Sequence, residues 1–193
     1  MSVNLMLVFQ SRQRQQLLQL AVEASDYQSV VCVALDADLQ QTLQAAQADV
    51  IIFNIDQPDQ KLLARTHNLN QLHAIPIVMF AERGDQKTII DAVNAGVTSY
   101  VVDGLQPKRL QPIVEAAMAR FKAFQSLRNE LQETKSKLED RKHIDKAKGI
   151  LIQQKNISED QAYQALRKLA MDRNIKLGEA ACNVIAMADI FKQ

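Results

Sequence analysis

The sequence predicts an α/β domain built on a doubly wound, five-stranded parallel sheet, followed by a long helix and a small C-terminal domain of three helices. Three observations predict this organisation. Five short apolar runs alternate with helical patterns over the first 119 residues. No Gly or Pro then occurs between Pro112 and Gly149, so the helical pattern continues without a break. Two further amphipathic segments follow, and the first of them begins and ends at helix-capping residue types.

The predicted strands are continuous apolar runs. They span residues 3–9, 29–34, 49–54, 76–80 and 99–102. Apolar runs without alternation are typical of parallel strands that helices cover on both faces. Strands that alternate with helices form right-handed βαβ units, so a flavodoxin-like sheet is expected, with ligand sites at the carboxyl ends of the strands.

Helical spacing of apolar residues fills the segments between the strands. These helices are predicted over residues 12–24, 37–46, 60–69 and 85–95. Beyond Pro107, apolar residues recur at alternating steps of three and four, which is the a/d pattern of a coiled coil. The positions of this seam are Phe124, Leu127, Leu131, Thr134 and Leu138. A parallel homodimeric coiled coil is expected, and the alternative is a lone helix packed on its own domain.

The tail contains three helical patterns. The first covers residues 142–155, and Ser158-Glu-Asp-Gln161 has the spacing of a capping box that starts the second. The second ends near Arg173, where Asn174 suits a left-handed C-cap. We expect Met171 and Met187 in the core of this domain. Gly149 is expected to let another helix or a backbone approach closely.

Charge is distributed unevenly along the chain. The net charge of +1 divides into −4 for residues 1–119, +1 for residues 120–140 and +4 for residues 141–193, which are the three predicted domains. A basic tail on an acidic body favours an anionic partner for the tail. No apolar run approaches the roughly 18 residues that span a bilayer, and no secretion signal is recognisable, so a cytoplasmic protein is expected. Cys32 and Cys182 are expected as buried free thiols.

Three strings in the first 120 residues resemble the receiver domain of bacterial response regulators. They are Asn54-Ile-Asp-Gln-Pro58, Ile75-Pro-Ile-Val-Met-Phe80 and Gly96-Val-Thr-Ser-Tyr100. The resemblance implies a site that holds Mg²⁺ on carboxylates after the first strand and phosphorylates an Asp after the third. A hydroxyl and a Lys would then contact the phosphoryl group.

The chain departs from the receiver pattern at every one of these positions. Phe9 and Gln10 replace the acidic pair, Asn54 replaces the phosphoacceptor, Ala81 replaces the hydroxyl and Asp103 replaces the lysine. Such residues offer Mg²⁺ little negative charge, so we expect no metal, no cofactor and no phosphorylation.

The nearest substitute for the phosphoacceptor is Asp56, which is expected as an exposed turn residue beyond the third strand. The domain is therefore expected to be a pseudo-receiver that binds proteins and dimerises, with an inert spacer as the alternative.

The tail resembles the ANTAR domain, an antiterminator module. The matching strings are Ala147-Lys-Gly-Ile-Leu151, Ser158-Glu-Asp-Gln-Ala-Tyr163, Leu166-Arg-Lys-Leu-Ala-Met171 and Lys176-Leu-Gly-Glu-Ala-Ala181. With the pseudo-receiver and the coiled coil, the whole chain resembles AmiR-like and NasT-like proteins. The resemblance implies binding to paired hairpin loops in a nascent mRNA leader, transcriptional read-through, and control by a ligand-sensing partner protein. Val101-Val-Asp-Gly-Leu105 favours the nitrate/nitrite-linked NasT-like group over an amide-responsive system.

RNA loops are bound through bases that stack on aromatic or guanidinium groups and through phosphates held by Lys and Arg. Tyr163 and Arg167 are four residues apart and share a helix face, so they are the leading candidates together with Lys148. The full set of candidate RNA contacts is Lys146, Lys148, Tyr163, Arg167, Lys168 and Arg173. The alternatives are packing of Tyr163 between helices and an ion pair of Arg167 with Glu159 or Asp160.

Two other functions remain possible at this point: a DNA-binding response regulator and an interaction module of a phosphorelay. The acidic start of the second tail helix, Glu159-Asp160, disfavours a DNA-recognition helix, whose N-terminal residues contact base edges. An enzyme is not expected, because His67, His73 and His143 form no catalytic or ligand spacing with the cysteines, and no phosphate-binding or nucleophile motif is present.

Overall fold

The structure is a computed structural model that describes residues 3–190, and the side chains of all of these except residues 28–30, 189 and 190. Five parallel strands form one sheet in the order β2-β1-β3-β4-β5. The strands are β1 (Asn4–Phe9), β2 (Gln28–Ala34), β3 (Val50–Ile55), β4 (Ile77–Ala81) and β5 (Ser99–Val101). The predicted fold class is confirmed, and β3 extends one residue beyond its predicted end.

Seven helices accompany the sheet in the described part of the chain. They are α1 (Arg12–Glu23), α2 (Leu39–Ala46), α3 (Gln60–Leu72), α4 (Gln86–Asn94), α5 (Leu110–Lys155), α6 (Glu159–Arg173) and α7 (Leu177–Ile190). A 3₁₀ turn at Pro107–Arg109 leads into α5. Five of the helices start at a Ser or Asp whose side chain accepts a backbone N–H of the first turn, as Asp38 does at α2.

The sheet has an apolar core on each face because successive side chains of a strand point to opposite sides. On one face, Met6, Ile51 and Phe53 pack with residues of α2, α3 and α4. On the other face, Leu7 and Ile52 pack with residues of α1 and of the start of α5. All five named strand residues are fully buried. This double covering explains the continuous apolar runs in the sequence.

Helix α5 is 46 residues long and contributes to both compact units of the chain, Met1–Gln125 and Ser126–Gln193. Within the first unit, Val114 and Ala117 of α5 are buried against the sheet. The seam residues Phe124, Leu127 and Leu131 are more than half exposed, at 63%, 63% and 54%. None of the described helices is both long and apolar enough to cross a membrane.

The second unit is built around Ala147, Leu166 and Ala181, one residue from each of α5, α6 and α7. Small side chains at two of these three positions let the helices approach closely. Ile144, Leu151, Leu177, Val184 and Ile185 surround this centre and are partly buried. The predicted capping box at Ser158 and the left-handed C-cap at Asn174 are both present.

Several sequence-based expectations about the tail are wrong. Met171 and Met187 are 71% and 49% exposed and do not lie in the core. A β-carbon at Gly149 would meet no described atom within 4 Å, so no other described part of the chain approaches this glycine. The close approach occurs instead at Gly178, where an added β-carbon would lie 2.5 Å from Cγ of Asp140. Cys182 is exposed, and Cys32 is half-buried.

Candidate functional sites: a degenerate receiver site and a candidate nucleic-acid interface

The receiver-like site lies at the carboxyl edge of the sheet, where the predicted positions meet. Gln10 follows β1 and donates its backbone N–H to the carbonyl of Asn54, at 3.3 Å. Asn54 is on β3 and is fully buried. Ala81 ends β4, and its carbonyl accepts the N–H of Gly104 at 2.9 Å. Asp103 adopts the left-handed backbone conformation, with φ of 68°.

An arginine that the sequence patterns did not single out fills the centre of this site. The side chain of Arg14, from α1, is only 11% exposed. Its Nη1 donates to Oδ1 of Asn54 at 3.1 Å and to Oε1 of Glu82 at 3.2 Å. Its Nε donates to Oδ1 of Asp56 at 3.0 Å, and its Nη2 also contacts that carboxylate.

These residues do not fit the Mg²⁺ ion that the receiver fold implies. The amide oxygen of Asn54 is already an acceptor for Arg14, and the amide nitrogen of Asn54 donates to the carbonyl of Arg14 at 3.1 Å. A buried guanidinium beside the remaining carboxylates would repel a divalent cation. Among the described residues, no group of three or more His, Cys, Asp or Glu side chains could hold a metal.

Asp56 is exposed and follows the end of β3, as predicted. Its backbone N–H donates to Oε1 of Gln10 at 2.7 Å, and its carboxylate is paired with Arg14. Neither contact follows from a sequence pattern, because the partners lie 42 and 46 residues apart.

In the second unit, α6 presents two of the candidate RNA contacts on one exposed face. Ala162, Leu166 and Ala170 form the buried face of α6. Tyr163 is 40% exposed, and Arg167 is exposed one turn later. Arg167 has no ion pair with Glu159 or Asp160 among the described salt bridges. Met171 continues the same face by another turn, because 3.6 residues complete one helical turn.

The candidate lysines differ in their surroundings. Lys146 and Lys168 are exposed, as is Arg173. Lys148 is different, because its side chain is only 17% exposed and its Nζ lies 2.8 Å from Oδ1 of Asp145 and 2.7 Å from Oε1 of Glu159. These two hydrogen bonds raise the pKa of Lys148 above its ordinary value, and the bond to Asp145 has the larger effect. The same contact lowers the pKa of Asp145. Lys148 therefore joins α5 to the first residue of α6.

A second contact between tail helices was also missed. Sγ of Cys182, on α7, lies 3.1 Å from Nδ1 of His143, on α5. The two residues are far apart in sequence, so no local spacing could predict the pair.

Residues 132–185 match the family model of the ANTAR domain. The chain contains an ANTAR domain. The match begins inside the predicted coiled-coil segment, residues 120–140, and it includes the core residues Ala147, Leu166 and Ala181 of α5, α6 and α7. Tyr163, Arg167 and the Lys148 bridge all lie within the matched residues.

Two relatives are regulatory proteins. The transcriptional regulatory protein PdtaR of Mycobacterium tuberculosis is 25% identical over 147 residues, which cover 75% of this chain and 72% of that protein. The nitrate regulatory protein of Klebsiella oxytoca is 28% identical over 148 residues, which cover 67% of this chain and 34% of that protein. The chain therefore aligns with about a third of the nitrate regulatory protein.

A solved structure shows the fold of the first unit. The CheY-like response regulator receiver domain protein of Methanospirillum hungatei JF-1 has a TM-score of 0.51 and 13% identity, over 63% of this chain and 98% of that chain. The first unit thus has a receiver fold, and residues 132–185 match the ANTAR domain.

Proposed function

We propose that the protein binds paired hairpin loops in a nascent mRNA leader through its ANTAR domain and promotes transcriptional read-through. The observation that carries this proposal is the exposed pair of Tyr163 and Arg167 on one face of α6. A half-exposed tyrosine ring and a neighbouring guanidinium are the groups on which unpaired RNA bases stack.

The outer face of α6 supplies both stacking surface and charge. Arg167 has no carboxylate partner among the described salt bridges, so its guanidinium is available to a base or a phosphate. Met171, on the following turn, adds an exposed thioether side chain that can pack against a splayed base. This face therefore offers three successive contacts, about 6 Å apart, along one helix.

The exposed lysines and the arginine around this face would attract the RNA backbone with little sequence specificity. Lys146 is on α5, while Lys168 and Arg173 are on α6, and we propose that they contact phosphates. Lys168 is rotated by about 100° from Arg167 around the helix, so it would reach a different part of the RNA. Lys148 is already paired with two carboxylates. We therefore propose that its main role is to position α6 on α5, and that direct contact with RNA is secondary.

The start of α6 argues against duplex DNA as the ligand. Glu159 and Asp160 occupy its first turn. A recognition helix inserts its N-terminal residues into the major groove between two phosphate strands, where two carboxylates would be repelled. Outward-facing side chains in the middle of α6 suit a single-stranded loop better.

We further propose that the chain forms a homodimer through the seam on α5. Phe124, Leu127, Leu131 and Leu138 are each 54% to 63% exposed in the single chain. Apolar side chains at a/d spacing become buried when two such helices pair. A dimer would also present two ANTAR domains, which matches an RNA ligand with two hairpins.

Control by a partner protein completes the proposal. Asn54 stands at the phosphoacceptor position and the nearby Asp56 is paired with Arg14, so we propose that the signal comes through a protein contact. We propose nitrate or nitrite as the signal and a ligand-sensing protein as the partner; the name of the Klebsiella oxytoca nitrate regulatory protein, to which the chain is similar, supports nitrate. Read-through of a leader–reporter fusion in the native host should then rise with nitrate, and a response to amides alone would contradict this part.

A selection from randomised RNA tests the proposed RNA binding. Full-length protein would select from a library of RNAs that carry two adjacent stem-loops with randomised loops, and the enriched RNA would be titrated by fluorescence anisotropy. Tyr163→Ala and Arg167→Ala should each weaken binding by roughly five-fold or more, because one stacked base contributes about 1–3 kcal/mol. Arg128→Ala, an exposed arginine on α5 outside the seam, is the charge-matched control.

The same titration separates the competing functions. Duplex DNA of equal length should bind only weakly and with strong salt dependence. Equal affinity for duplex DNA and selected RNA would overturn the proposal in favour of a DNA-binding regulator. Failure to enrich any RNA, with the protein folded and dimeric, would favour an interaction module.

The dimer is tested separately by sedimentation equilibrium. Leu131→Glu places a charge in the seam and should shift the protein to monomer at micromolar concentration. Gln132→Glu introduces the same charge beside the seam and should leave the dimer intact. A monomeric native protein would refute the coiled coil, whatever the RNA result.

A further inference from the structure

The receiver-like site is organised around a charged side chain that the proposed RNA function does not use. Arg14 is a buried cation, and a buried charge is stable only when its partners compensate for the lost water. Three acceptor side chains surround it: Asn54 on β3, Asp56 after β3 and Glu82 after β4. The guanidinium thus spans the carboxyl ends of two neighbouring strands.

Asn54 holds Arg14 at two points. Its Oδ1 accepts from Nη1 and its Nδ2 donates to the Arg14 carbonyl, each at 3.1 Å. An aspartate at this position could accept the first bond but could not donate the second. The asparagine that replaces a phosphoacceptor is therefore matched to the arginine beside it, and the two residues are 40 positions apart.

We propose that Arg14 is a built-in cation that permanently links the loops after β3 and β4. In this fold it takes the place that a dissociable metal ion and a phosphoryl group would share, and it keeps the site in one conformation. The chain consequently needs neither metal nor phosphorylation to order these loops. This inference does not depend on RNA binding.

Two observations support a linking role over simple charge burial. The carboxylates of Asp56 and Glu82 are 65% and 49% exposed, so each could remain in water if Arg14 did not hold it. The loops are also held by backbone bonds from Glu82 to Ile55 and from Arg83 to Asp56, at 3.3 and 3.1 Å. Arg14 therefore joins loops that already lie side by side, which limits their separation.

The test compares thermal unfolding of the full-length chain with and without millimolar MgCl₂, and with MgCl₂ plus beryllofluoride. The native protein should show the same Tm in all three conditions, because ligands that do not bind the folded state do not stabilise it. Arg14→Ala should lower the Tm by roughly 5 °C, since it leaves the buried amide of Asn54 without its partner and removes a packed side chain. MgCl₂ should recover part of that loss, because two carboxylates then face an empty site.

Arg12→Ala is the matched control, because Arg12 is an exposed arginine on the same helix. It should leave the Tm nearly unchanged. If Arg14→Ala does not fold, Asp56→Ala combined with Glu82→Ala keeps Arg14 and removes only its exposed partners. That variant should speed amide hydrogen exchange at residues 56, 57 and 82–84 several-fold while α6 exchanges as in the native chain.

Two results would overturn the proposal. One is stabilisation of the native protein by MgCl₂ or by beryllofluoride, which would show that the site accepts these ligands in spite of Arg14. The other is unchanged exchange in both loops after the partners of Arg14 are removed, which would show that Arg14 links nothing.

Discussion

Two glycines on helices of the ANTAR domain should respond in opposite directions to the same substitution. Gly149 lies within α5, and Gly178 is the second residue of α7. Each can be replaced by alanine, which adds one methyl group and favours a helix. Comparing the two substitutions therefore shows how the space around the added methyl group affects the free energy of unfolding.

The expected magnitudes follow from the neighbours of each added carbon. At Gly149 the new β-carbon meets nothing within 4 Å among the described atoms, so Gly149→Ala should stabilise the domain by up to about 1 kcal/mol through helix propensity. At Gly178 the carbon would lie 2.5 Å from Cγ and 3.0 Å from Cβ of Asp140. The carboxylate group of Asp140 is too close for the added carbon, so either this side chain leaves its rotamer or α7 shifts. Overpacking of this kind costs about 1–3 kcal/mol, which exceeds the gain in helix propensity.

Urea unfolding of the full-length protein, followed by circular dichroism, measures both effects. Gly149→Ala should raise the free energy of unfolding, and Gly178→Ala should lower it by roughly 1–2 kcal/mol. In an Asp140→Ala background most of the cost at Gly178 should disappear, because Cγ and both carboxylate oxygens are gone. The coupling in this double-mutant cycle should be about 1 kcal/mol.

The reasoning would be refuted if Gly178→Ala were as stabilising as Gly149→Ala. It would also fail if the cost at Gly178 were the same with and without the Asp140 side chain, because the close approach would then not be its cause.

Three other substitutions test the packing described above. Ser158→Ala removes the N-cap of α6, where Ser158 Oγ accepts the N–H of Gln161 at 3.2 Å, and should cost about 1 kcal/mol in the urea midpoint analysis. Thr66→Val replaces a fully buried hydroxyl that has no partner among the described atoms; it should leave the Tm unchanged or raise it, and a large loss would reveal an unseen hydrogen bond. Met171→Gln and Met187→Gln should each change the free energy of unfolding by less than about 0.5 kcal/mol, because both side chains are exposed. A larger loss of stability would show that these side chains are buried in the folded protein.

The fold could be predicted because it rests on local periodicity. Apolar runs such as residues 50–55 report burial on both faces of a sheet, and the capping box at Ser158 reports a helix start. Each of these signals lies within a few residues of the element that it predicts. The continuous helix α5 followed in the same way from the absence of Gly and Pro.

The centre of the receiver-like site could not be predicted by the same reasoning. Arg14 lies in a helical segment with ordinary spacing, and its partners Asn54 and Glu82 are 40 and 68 residues away. Only the three-dimensional fold brings them together. The sequence did indicate that Asn54 cannot act as a phosphoacceptor, but it contained no local sign of the side chain that fills the site.

The errors in the tail have a different physical origin. Hydrophobicity permits burial but does not require it, and Met171 and Met187 are exposed on helices whose cores consist largely of alanine. The two glycines are equally uninformative in sequence, because the close approach at Gly178 depends on Asp140 from another helix. Lys148 is a third case: its charge pattern suggested a free cation, and Glu159 on α6 and Asp145 bind it.

The continuity of α5 restricts how this protein can be divided or rebuilt. One helix of 46 residues contributes to both compact units, so a truncation between the units cuts a continuous helix. Any fragment that ends within Leu110–Lys155 leaves a frayed helix end with four unsatisfied carbonyl groups. An insertion or deletion near Leu131 would rotate later seam positions by about 100° per residue, and only steps of about seven residues would keep them on one stripe. Exchange of either unit between related proteins is therefore constrained to whole heptads.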